Sequence, residues 1–292
     1  MRGDPIDSSR YWPEGYRSGV MLSYDLDAGE TWRCLAMEEP AWDKPLIRTR
    51  GRYGPKEGVP RLLHIFDKYD VKSTFFIPGK VLEAYPETAH AIHDAGHEIG
   101  HHGYTHRTPL SMDGPEAEEA EIKKGLDAFD DILGIRPVGY RTPFYEISDH
   151  TLDILADNGF TYHSTFIDSD LPYIHEQGIV ELPVDFSLED WLYFGYNFVP
   201  AFPFHGGFMP ADQVLQWYIR EFRGLHKYGR FFSILHHPQL EGRPGRIDMT
   251  EELIEEVLSA GTSWITTGEN IATHWLDHHE IEDPPDITSW DS

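Results

Sequence analysis

Apolar positions along this chain follow two alternating patterns, one typical of amphipathic helices and one typical of short buried strands. Five times an amphipathic segment reaches a glycine and is followed by a short β-branched or aromatic run; the five glycines are Gly96, Gly134, Gly159, Gly229 and Gly261. Glycine readily adopts the left-handed conformation that ends helices, and the runs that follow have the length of buried strands. The pattern therefore predicts repeated βα units.

Two more segments fit the same scheme. GVMLSYD, which ends at Asp25, and KSTFFIP, at residues 72–78, are predicted strands, and a helix over about residues 59–69 joins them. Seven or so parallel strands that alternate with helices predict an α/β protein, either a barrel or a doubly wound sheet.

A well-marked helix is predicted over residues 249–260. Asp248 and Glu251 have the spacing of a capping box, which satisfies the free N–H groups of a helix start. Its apolar stripe consists of Leu253, Ile254, Val257 and Leu258.

No linker divides the chain, so we expect a single barrel domain over residues 19–276, preceded by an N-terminal arm, residues 1–18. The stretch 168–210 is rich in proline, glycine and aromatic residues and is longer than an ordinary connection. We expect it to be an insertion that shapes a pocket or an interface. The acidic residues 277–292 are expected to form a flexible tail or, alternatively, to pack on a neighbouring subunit.

The composition of the 292 residues, 40% hydrophobic and 13% aromatic, is that of a folded protein. Its 24 basic and 50 acidic residues give a net charge of −26, which repels nucleic acids and anionic membranes. The single cysteine, Cys34, excludes an intramolecular disulfide and is compatible with a reducing compartment. Because neither a signal peptide nor a membrane span is recognisable, we expect a soluble cytoplasmic protein.

The segment GHEIGHHGYTH, residues 96–106, contains four histidines. His102 and His106 are four residues apart, which places both imidazoles on one face of a helical turn, where they can share one metal ion. His101 is expected to point away from His102. A lone His-x-x-x-His pair is weak support for a metal site, so a third ligand is required.

The segment SYDLDAGE supplies that third ligand. Asp25 and Asp27 alternate across Leu26, so both carboxylates face the same way where the strand ends. Together with histidines after a later strand, they predict a metal site at the C-terminal mouth of parallel strands. Helix capping or a surface turn is the alternative role for the aspartates.

Non-haem iron oxygenases also use two histidines and one carboxylate to bind their metal. In those proteins the scaffold is all-β and the carboxylate lies close after the first histidine, so hydrolysis is the favoured reaction here.

Four segments in this order resemble the successive motifs of the polysaccharide deacetylases, the NodB-homology group: Asp25 with Asp27, HHGYTH at 101–106, GYRTPFYE at 139–146 and ILHHPQLEGRPGRI at 234–247. The resemblance spans about residues 19–275. It is strongest to an intracellular branch that contains allantoinase-like and cyclic imide hydrolases and a protein regarded as a peptidoglycan deacetylase. It implies a distorted (β/α) barrel of seven or eight strands, often assembled as a homotetramer.

The resemblance also implies a divalent metal ion, expected to be Zn²⁺ although other divalent ions fit, with Asp27, His102 and His106 as its ligands. Asp25 matches the general base, and Arg141 matches the arginine that pairs with that base and orients it. The sequence departs from the common pattern in one respect: the aspartates are separated by Leu26 rather than adjacent. This leaves the role of Asp25 less firmly implied than the others.

Two further catalytic residues follow from the resemblance. The backbone N–H of Phe144 matches the donor that stabilises the oxyanion, and His237 matches the general acid that protonates the leaving nitrogen. From the residues alone, a strand-end histidine held by local hydrogen bonds is the alternative for His237, and a surface salt bridge is the alternative for Arg141.

Substrate contacts are predicted for Trp191, Tyr145, Arg243 and Arg246. Five aromatic residues of the 168–210 stretch are candidates either for the pocket wall or for a small core of that stretch itself: Trp191, Tyr193, Phe194, Tyr196 and Phe198. The two arginines can bind a substrate carboxylate, with solvent exposure as the alternative.

These features predict a metal-dependent hydrolase of non-peptide carbon–nitrogen bonds. The expected substrate is either a small cyclic amide or an N-acetyl sugar unit, and the lack of a recognisable export signal favours the small molecule. The alternative function is a non-catalytic sugar- or metal-binding module on the same scaffold.

Overall fold

The computed structural model of the chain describes residues 10–38, 45–195 and 209–279. One mixed sheet runs through these residues and contains nine strands. They are β1 (Ser18–Asp25), β2 (Thr74–Ile77), β3 (Glu98–His101), β4 (Gly139–Tyr140), β5 (Tyr162–His163), β6 (Tyr173–Ile174), β7 (Val180–Glu181), β8 (Phe231–His236) and β9 (Ser263–Ile265).

The strands follow the order β6-β7-β5-β4-β3-β2-β1-β8, and β9 pairs with the start of β1. All pairings are parallel except the antiparallel pair β6–β7. The sheet curls into a half-barrel whose two edges are joined by short contacts rather than by a full ladder. Phe231 N–H donates to the Asp170 carbonyl over 2.9 Å, and Glu189 forms an isolated parallel bridge with Leu235. The predicted single-domain distorted barrel is therefore confirmed.

Eleven α-helices connect the strands within the described part of the chain. They are α1 (Glu30–Glu38), α2 (Pro45–Tyr53), α3 (Val59–Tyr69), α4 (Gly79–Ala84), α5 (Pro86–Asp94), α6 (Pro115–Leu133), α7 (Thr151–Asp157), α8 (Trp191–Phe194), α9 (Ala211–Lys227), α10 (Ile247–Ser259) and α11 (Gly268–His278). The helix predicted over residues 59–69 is α3. No helix among the described residues is both long and apolar enough to cross a bilayer.

The two faces of β1 show how side-chain alternation builds two separate cores. Val20, Leu22 and Tyr24 point outward and join the core between the sheet and its covering helices. Met21 points inward, into a second core that fills the lower end of the half-barrel. That second core also contains Trp12, Phe76, Tyr162, Phe231, Ile271 and Trp275. Inward positions therefore change from apolar at the start of β1 to polar at its end, where a site can form.

The five glycines that predicted helix ends all have the left-handed backbone. Their φ angles lie between +65° and +83°, a region that is costly for residues with a Cβ atom. Each is followed by a strand, and these strands are β3, β4, β5, β8 and β9. The repeated pattern of helix, glycine and strand is thus confirmed.

Two details of the predicted 249–260 helix are wrong. The helix starts at Ile247 with Arg246 as its N-cap residue and no side-chain cap, so Asp248 lies inside the first turn and cannot form a capping box. Leu258 is 44% exposed, whereas Leu253, Ile254 and Val257 are buried. The core stripe is consequently narrower than the sequence pattern indicates, because Leu258 lies at its edge.

The stretch 168–210 contributes β6, β7 and α8, and its residues 196–208 lie outside the described part of the chain. Most of the predicted arm, residues 1–9, and most of the predicted tail, residues 280–292, also lie outside it. The division into arm, barrel with insertion and tail stays a prediction.

Gly125 on α6 is predicted to be intolerant of a methyl group, because an added Cβ would overlap with the ring of His101 on β3. We expect Gly125→Ala to lower the free energy of unfolding by about 1–3 kcal/mol. Gly224→Ala on α9 is the matched control, since nothing lies within 4 Å of an added Cβ there. It should raise stability by about 0.5–1 kcal/mol through helix propensity. Urea unfolding measures both, and equal effects at the two positions would contradict the packing of α6 on β3.

Candidate metal centre and active site

A pocket opens at the carboxyl ends of the central strands, with about 450 Å³ of space including its mouth. The lining residues lie at the ends of strands, in the segments that follow them, or in the segment that bridges to β8, as is typical of sites in parallel sheets. The lining residues are Asp25, Asp27, Thr31, His102, His106, Arg141, Thr142, Phe144, Tyr145, Glu189, Trp191, Leu235 and His237.

Asp25 and Asp27 reach this pocket from the end of β1. The chain stays extended past the strand because Leu26 N–H donates to the Phe76 carbonyl over 2.9 Å. Leu26 points into the outer core, so the two aspartates on either side of it point inward. Both carboxylates are at least 97% buried, with exposures of 3% and 1%. Their predicted common orientation is therefore found in the structure.

His102 and His106 come together in a different way from the one predicted. The segment after β3 is a loop rather than a helical turn, because Gly103 and His106 both have positive φ angles, 71° and 60°. Backbone hydrogen bonds from the start of α4 to the carbonyls of Gly103 and Tyr104 hold this loop. His101 does point away from His102, and its Nε2 lies 3.0 Å from the Ile122 carbonyl oxygen.

The distances around Asp27 fit a shared metal ion. Its Oδ1 atom lies 3.5 Å from Nε2 of His102 and 3.4 Å from Nε2 of His106. Two ligand atoms at about 2.0–2.2 Å from one tetrahedral ion lie about 3.3–3.6 Å apart. Oδ1 is buried and has no hydrogen-bond partner among the described residues, a costly state unless a cation is present. The three side chains therefore form a candidate site for a divalent cation.

Neighbouring groups orient two of these side chains, His102 and Asp27. Nδ1 of His102 lies 2.7 Å from the Arg141 carbonyl and donates to it, which leaves Nε2 as a free ligand atom. The Thr31 hydroxyl donates to Oδ2 of Asp27 over 2.8 Å, which turns Oδ1 towards the histidines. Burial alone would raise the pKa of Asp27, but His106 and the other nearby histidines outweigh it and lower that pKa. Asp27 is thus held as a carboxylate.

Asp25 is fixed by Arg141, which is 1% exposed. Nη1 of Arg141 donates to Oδ1 of Asp25 over 2.8 Å and to the Ser23 hydroxyl over 2.9 Å. The rest of the guanidinium is held by Ser164, and it lies over the Phe76 ring at 4.1 Å. The arginine is therefore not a surface salt bridge, and it leaves Oδ2 of Asp25 facing His102 at 3.6 Å.

His237 lines the pocket directly after β8, with its Nε2 atom 3.5 Å from Oδ2 of Asp27. Asp190 holds it through two hydrogen bonds, from Nδ1 over 2.7 Å and from the backbone N–H over 3.0 Å. Burial alone would lower the pKa of His237, but the Asp190 carboxylate outweighs it and raises that pKa to about 10. Sequence reasoning missed Asp190, although an acidic residue directly before the predicted Trp191 was a usable signal.

Phe144 lies in a turn with an unusual backbone, since Phe144 and Tyr145 have φ angles of 58° and 66°. Two consecutive left-handed residues other than glycine are strained and persist only where neighbours hold them. The Phe144 ring packs edge-on against His106, with centroids 4.8 Å apart. Before the turn, the hydroxyl of Thr142 lies 2.9 Å from Nε2 of His163, and Thr142 N–H donates to the Thr165 hydroxyl over 3.1 Å.

His163 belongs to a second buried cluster, with His175 and Glu181. Here the nitrogen atoms lie only 2.7 and 2.9 Å from Oε2 of Glu181, which are hydrogen-bond distances. Oε1 of Glu181 accepts from the N–H groups of Thr165 and Phe166 over 2.7 and 2.9 Å. All lone pairs of this carboxylate are thus in use, in contrast to Asp27. We interpret the cluster as support for the Thr142 turn rather than as a metal site.

Glu189 is a further pocket residue that sequence reasoning missed. Burial raises its pKa to about 7, and the carboxylates of Asp190 and Asp25 add to this rise, whereas His237 and the Tyr145 hydroxyl oppose it. Only 9% of the residue is exposed. The predicted substrate residue Tyr145 lies in the same pocket, and its nearby hydroxyl acts to lower the pKa of Glu189.

Trp191 also lies in the pocket wall, with its ring 5.1 Å from that of His237. Tyr193 and Phe194 instead pack against the outer core, and Tyr196 and Phe198 lie outside the described residues. Of the five aromatic residues, Trp191 thus lines the pocket, whereas Tyr193 and Phe194 belong to the main outer core rather than to a small core of the stretch itself.

Arg243 and Arg246 do not line the pocket. Arg243 lies over the Tyr53 ring at 3.5 Å, and Arg246 lies over the Phe194 ring at 4.5 Å. A third arginine, Arg50, lies over Trp191 at 5.9 Å. Burial together with the charges of Arg243 and Arg246 lowers the pKa of Arg50 to about 10. The three arginines form a cationic group behind the Trp191 wall.

Fold and site together define a class of protein. Its members have a curled, mainly parallel sheet with a cluster of one aspartate and two histidines at the carboxyl ends of the strands. Residues 53–163 match the polysaccharide deacetylase family model. A peptidoglycan deacetylase of Helicobacter pylori is 30% identical over 280 residues, which cover 86% of this chain and 94% of the relative. The chain belongs to the polysaccharide deacetylase family.

Solved structures agree with this assignment. The crystal structure of a Mycobacterium smegmatis protein assigned to the polysaccharide deacetylases is 34% identical, with a TM-score of 0.86 and coverage of 98% of this chain and 99% of that one. The allantoinase PuuE shares the fold, with a TM-score of 0.80, 23% identity and coverage of 96% and 98%.

Replacing Glu189 with glutamine should stabilise the protein at alkaline pH. The folded-state pKa of about 7 lies above the ordinary value of 4.5, so ionisation opposes folding, and this cost grows as pH rises from 4.5 through 7. The free energy of unfolding of Glu189→Gln should exceed that of the wild type. We expect this excess to be about 2 kcal/mol larger at pH 8 than at pH 5. Urea unfolding at both pH values measures this difference. Glu252→Gln, at an exposed site, is the control; a gain at Glu189 that did not depend on pH would contradict the desolvated environment.

Proposed function

We propose that the protein is a metal-dependent hydrolase of non-peptide carbon–nitrogen bonds. The observation that carries this proposal is the buried Oδ1 atom of Asp27, which lacks a hydrogen-bond partner among the described residues and lies 3.4–3.5 Å from two imidazole nitrogens. Groups suited to proton transfer flank this cluster on both sides. Membership of the polysaccharide deacetylase family supports the same reaction class.

A divalent cation held by Asp27, His102 and His106 supplies an electrophile for the scissile carbonyl and lowers the pKa of a water molecule towards neutrality. We expect Zn²⁺, and other divalent ions fit the same ligands. The chain itself supplies the positioning of water and substrate and the movement of protons.

Asp25 is proposed as the general base. Its Oδ1 is engaged by Arg141, and its Oδ2 faces the metal cluster, so one oxygen is anchored and the other can accept a proton from water. The Asp-x-Asp spacing does not separate the two carboxylates, since Asp25 and Asp27 both contact His102 within 3.6 Å. This geometry supports the role that the spacing left less firmly implied.

His237 is proposed as the general acid. Asp190 accepts from Nδ1 and stabilises the protonated ring, while Nε2 faces the pocket. The proposed base and the proposed acid thus each have one anchored atom and one atom that faces the pocket, Oδ2 of Asp25 and Nε2 of His237. The N–H of Phe144, in its strained turn beside His106, is proposed to donate to the developing oxyanion.

The substrate is proposed to be a small amide, cyclic or carried by an N-acetyl sugar unit. Aromatic rings of Phe144, Tyr145 and Trp191 form much of the pocket wall and suit a flat ring or a sugar face. Contact of Arg243 and Arg246 with a substrate carboxylate stays a prediction, because both arginines lie over aromatic rings outside the pocket lining. A cytoplasmic location and a homotetramer also stay predictions.

Turnover of a substrate panel tests the function. Zn²⁺-loaded protein is incubated with succinimide, hydantoin, allantoin and N-acetylated chito-oligosaccharides, with the His106→Ala variant as an inactive control. We expect hydrolysis of at least one member and a loss of at least about 10³-fold in His106→Ala, because a catalytic ligand is removed. Acetate as the only product would identify a sugar deacetylase and exclude the cyclic amide. Ligand binding without turnover of any member would favour the non-catalytic module instead.

A further inference from the structure

Glu189 is a pocket carboxyl group for which the proposed catalytic cycle has no use. It lies in the wall beside His237 and Tyr145, and it is 9% exposed. The base, the acid and the proposed metal ligands are all other residues. A carboxyl group retained in a desolvated pocket is costly to folding, which suggests a role in binding.

The position of Glu189 is fixed by the backbone rather than by a flexible loop. Its main chain bridges in parallel to Leu235 at the end of β8, and Leu235 lies two residues before His237. Asp190, the next residue, is bonded to His237. The carboxyl group of Glu189 is therefore held at a set distance from the proposed acid.

The hydrogen-bonding capacity of Glu189 is only partly used. Among the described residues, the Tyr145 hydroxyl is the neutral side chain close enough to this carboxyl group to lower its pKa. Arg141, the buried cation of the pocket, is committed to Asp25, Ser23 and Ser164. A carboxyl group has about four acceptor positions, so acceptors remain for a ligand. The raised pKa of Glu189 agrees with a desolvated group that has no cationic side chain bonded to it.

The position of Glu189 indicates which group of a ligand donates a hydrogen bond to it. His237 faces the leaving group, so a neighbouring acceptor meets the atoms attached to the same end of the scissile bond. In a secondary amide that end carries an N–H group, whereas in an ester it carries an oxygen without hydrogen. We propose that Glu189, oriented by Tyr145, accepts a hydrogen bond from the N–H of the scissile amide and thereby selects amides over esters. This inference rests on the proposed hydrolase function and adds the feature of the substrate that the site recognises.

The expected discrimination is large above pH 7, where Glu189 is ionised, because a buried carboxylate that faces the oxygen of an ester is left unpaired. Sites built to bond a substrate N–H or O–H discriminate strongly against analogues that lack it. Removing the acceptor should therefore lower activity on the amide much more than on the ester. Loss of fold or of metal would instead lower both activities in parallel.

The test uses two matched pairs of substrates with the Zn²⁺-loaded full chain: 4-nitroacetanilide with 4-nitrophenyl acetate, and δ-valerolactam with δ-valerolactone. The readout is the ratio of kcat/KM for the amide to kcat/KM for the ester. We expect this ratio to fall at least about tenfold in Glu189→Leu, the usual worth of one hydrogen bond to a buried carboxyl group. Glu189→Gln keeps an acceptor oxygen and should retain most of the ratio.

Each outcome has a defined meaning. A ratio in folded Glu189→Leu within about twofold of the wild type overturns the inference, as does an equal fall in Glu189→Gln. If Glu189→Leu does not fold, Tyr145→Phe decides, because loss of the orienting hydroxyl should lower the ratio and an unchanged ratio overturns the inference. If the wild type hydrolyses neither member of either pair and no member of the substrate panel, the proposed function fails and the inference fails with it.

Discussion

The structure depends above all on one carboxylate oxygen placed between two imidazole nitrogens in a buried site. Oδ1 of Asp27 accepts no hydrogen bond from the described residues, and its charge is removed from water. Such an atom is tolerated only where a cation neutralises it. The orientation of His102 by the Arg141 carbonyl and of Asp27 by Thr31 serves to keep the three ligand atoms at metal-binding separations.

Around this centre the fold holds the two residues that we propose for proton transfer, Asp25 and His237, in fixed positions. Arg141 holds Asp25 from the β4 side, and Asp190 holds His237 from the segment that bridges to β8. Arg141 and Asp190 are almost fully buried, so the proposed base and the proposed acid each have one fixed orientation. The open edge of the half-barrel contributes directly to the site, because the irregular chain that joins its two edges also carries Asp190 and Glu189.

The sequence contained most of the fold and the central site. Helix-ending glycines and the Asp-x-Asp spacing depend on local backbone geometry, which a single sequence reveals. The helical turn expected for His102 and His106 was wrong because the left-handed backbone at Gly103 replaces it. Asp190 and Glu189 were missed because their roles arise from a contact with β8, some 45 residues away, which leaves no periodic pattern. The capping box failed for a similar reason, since tertiary packing determined where α10 starts.

X-ray absorption at the zinc edge of the Zn²⁺-loaded protein tests the central claim most directly. We expect a first coordination sphere of two imidazole nitrogens and one carboxylate oxygen at about 2.0–2.2 Å, with at least one solvent oxygen. The same sphere should persist in His175→Gln, which alters only the second histidine cluster. A first sphere without histidine, one completed by protein atoms alone, or one lost in His175→Gln would contradict an open metal site at Asp27, His102 and His106.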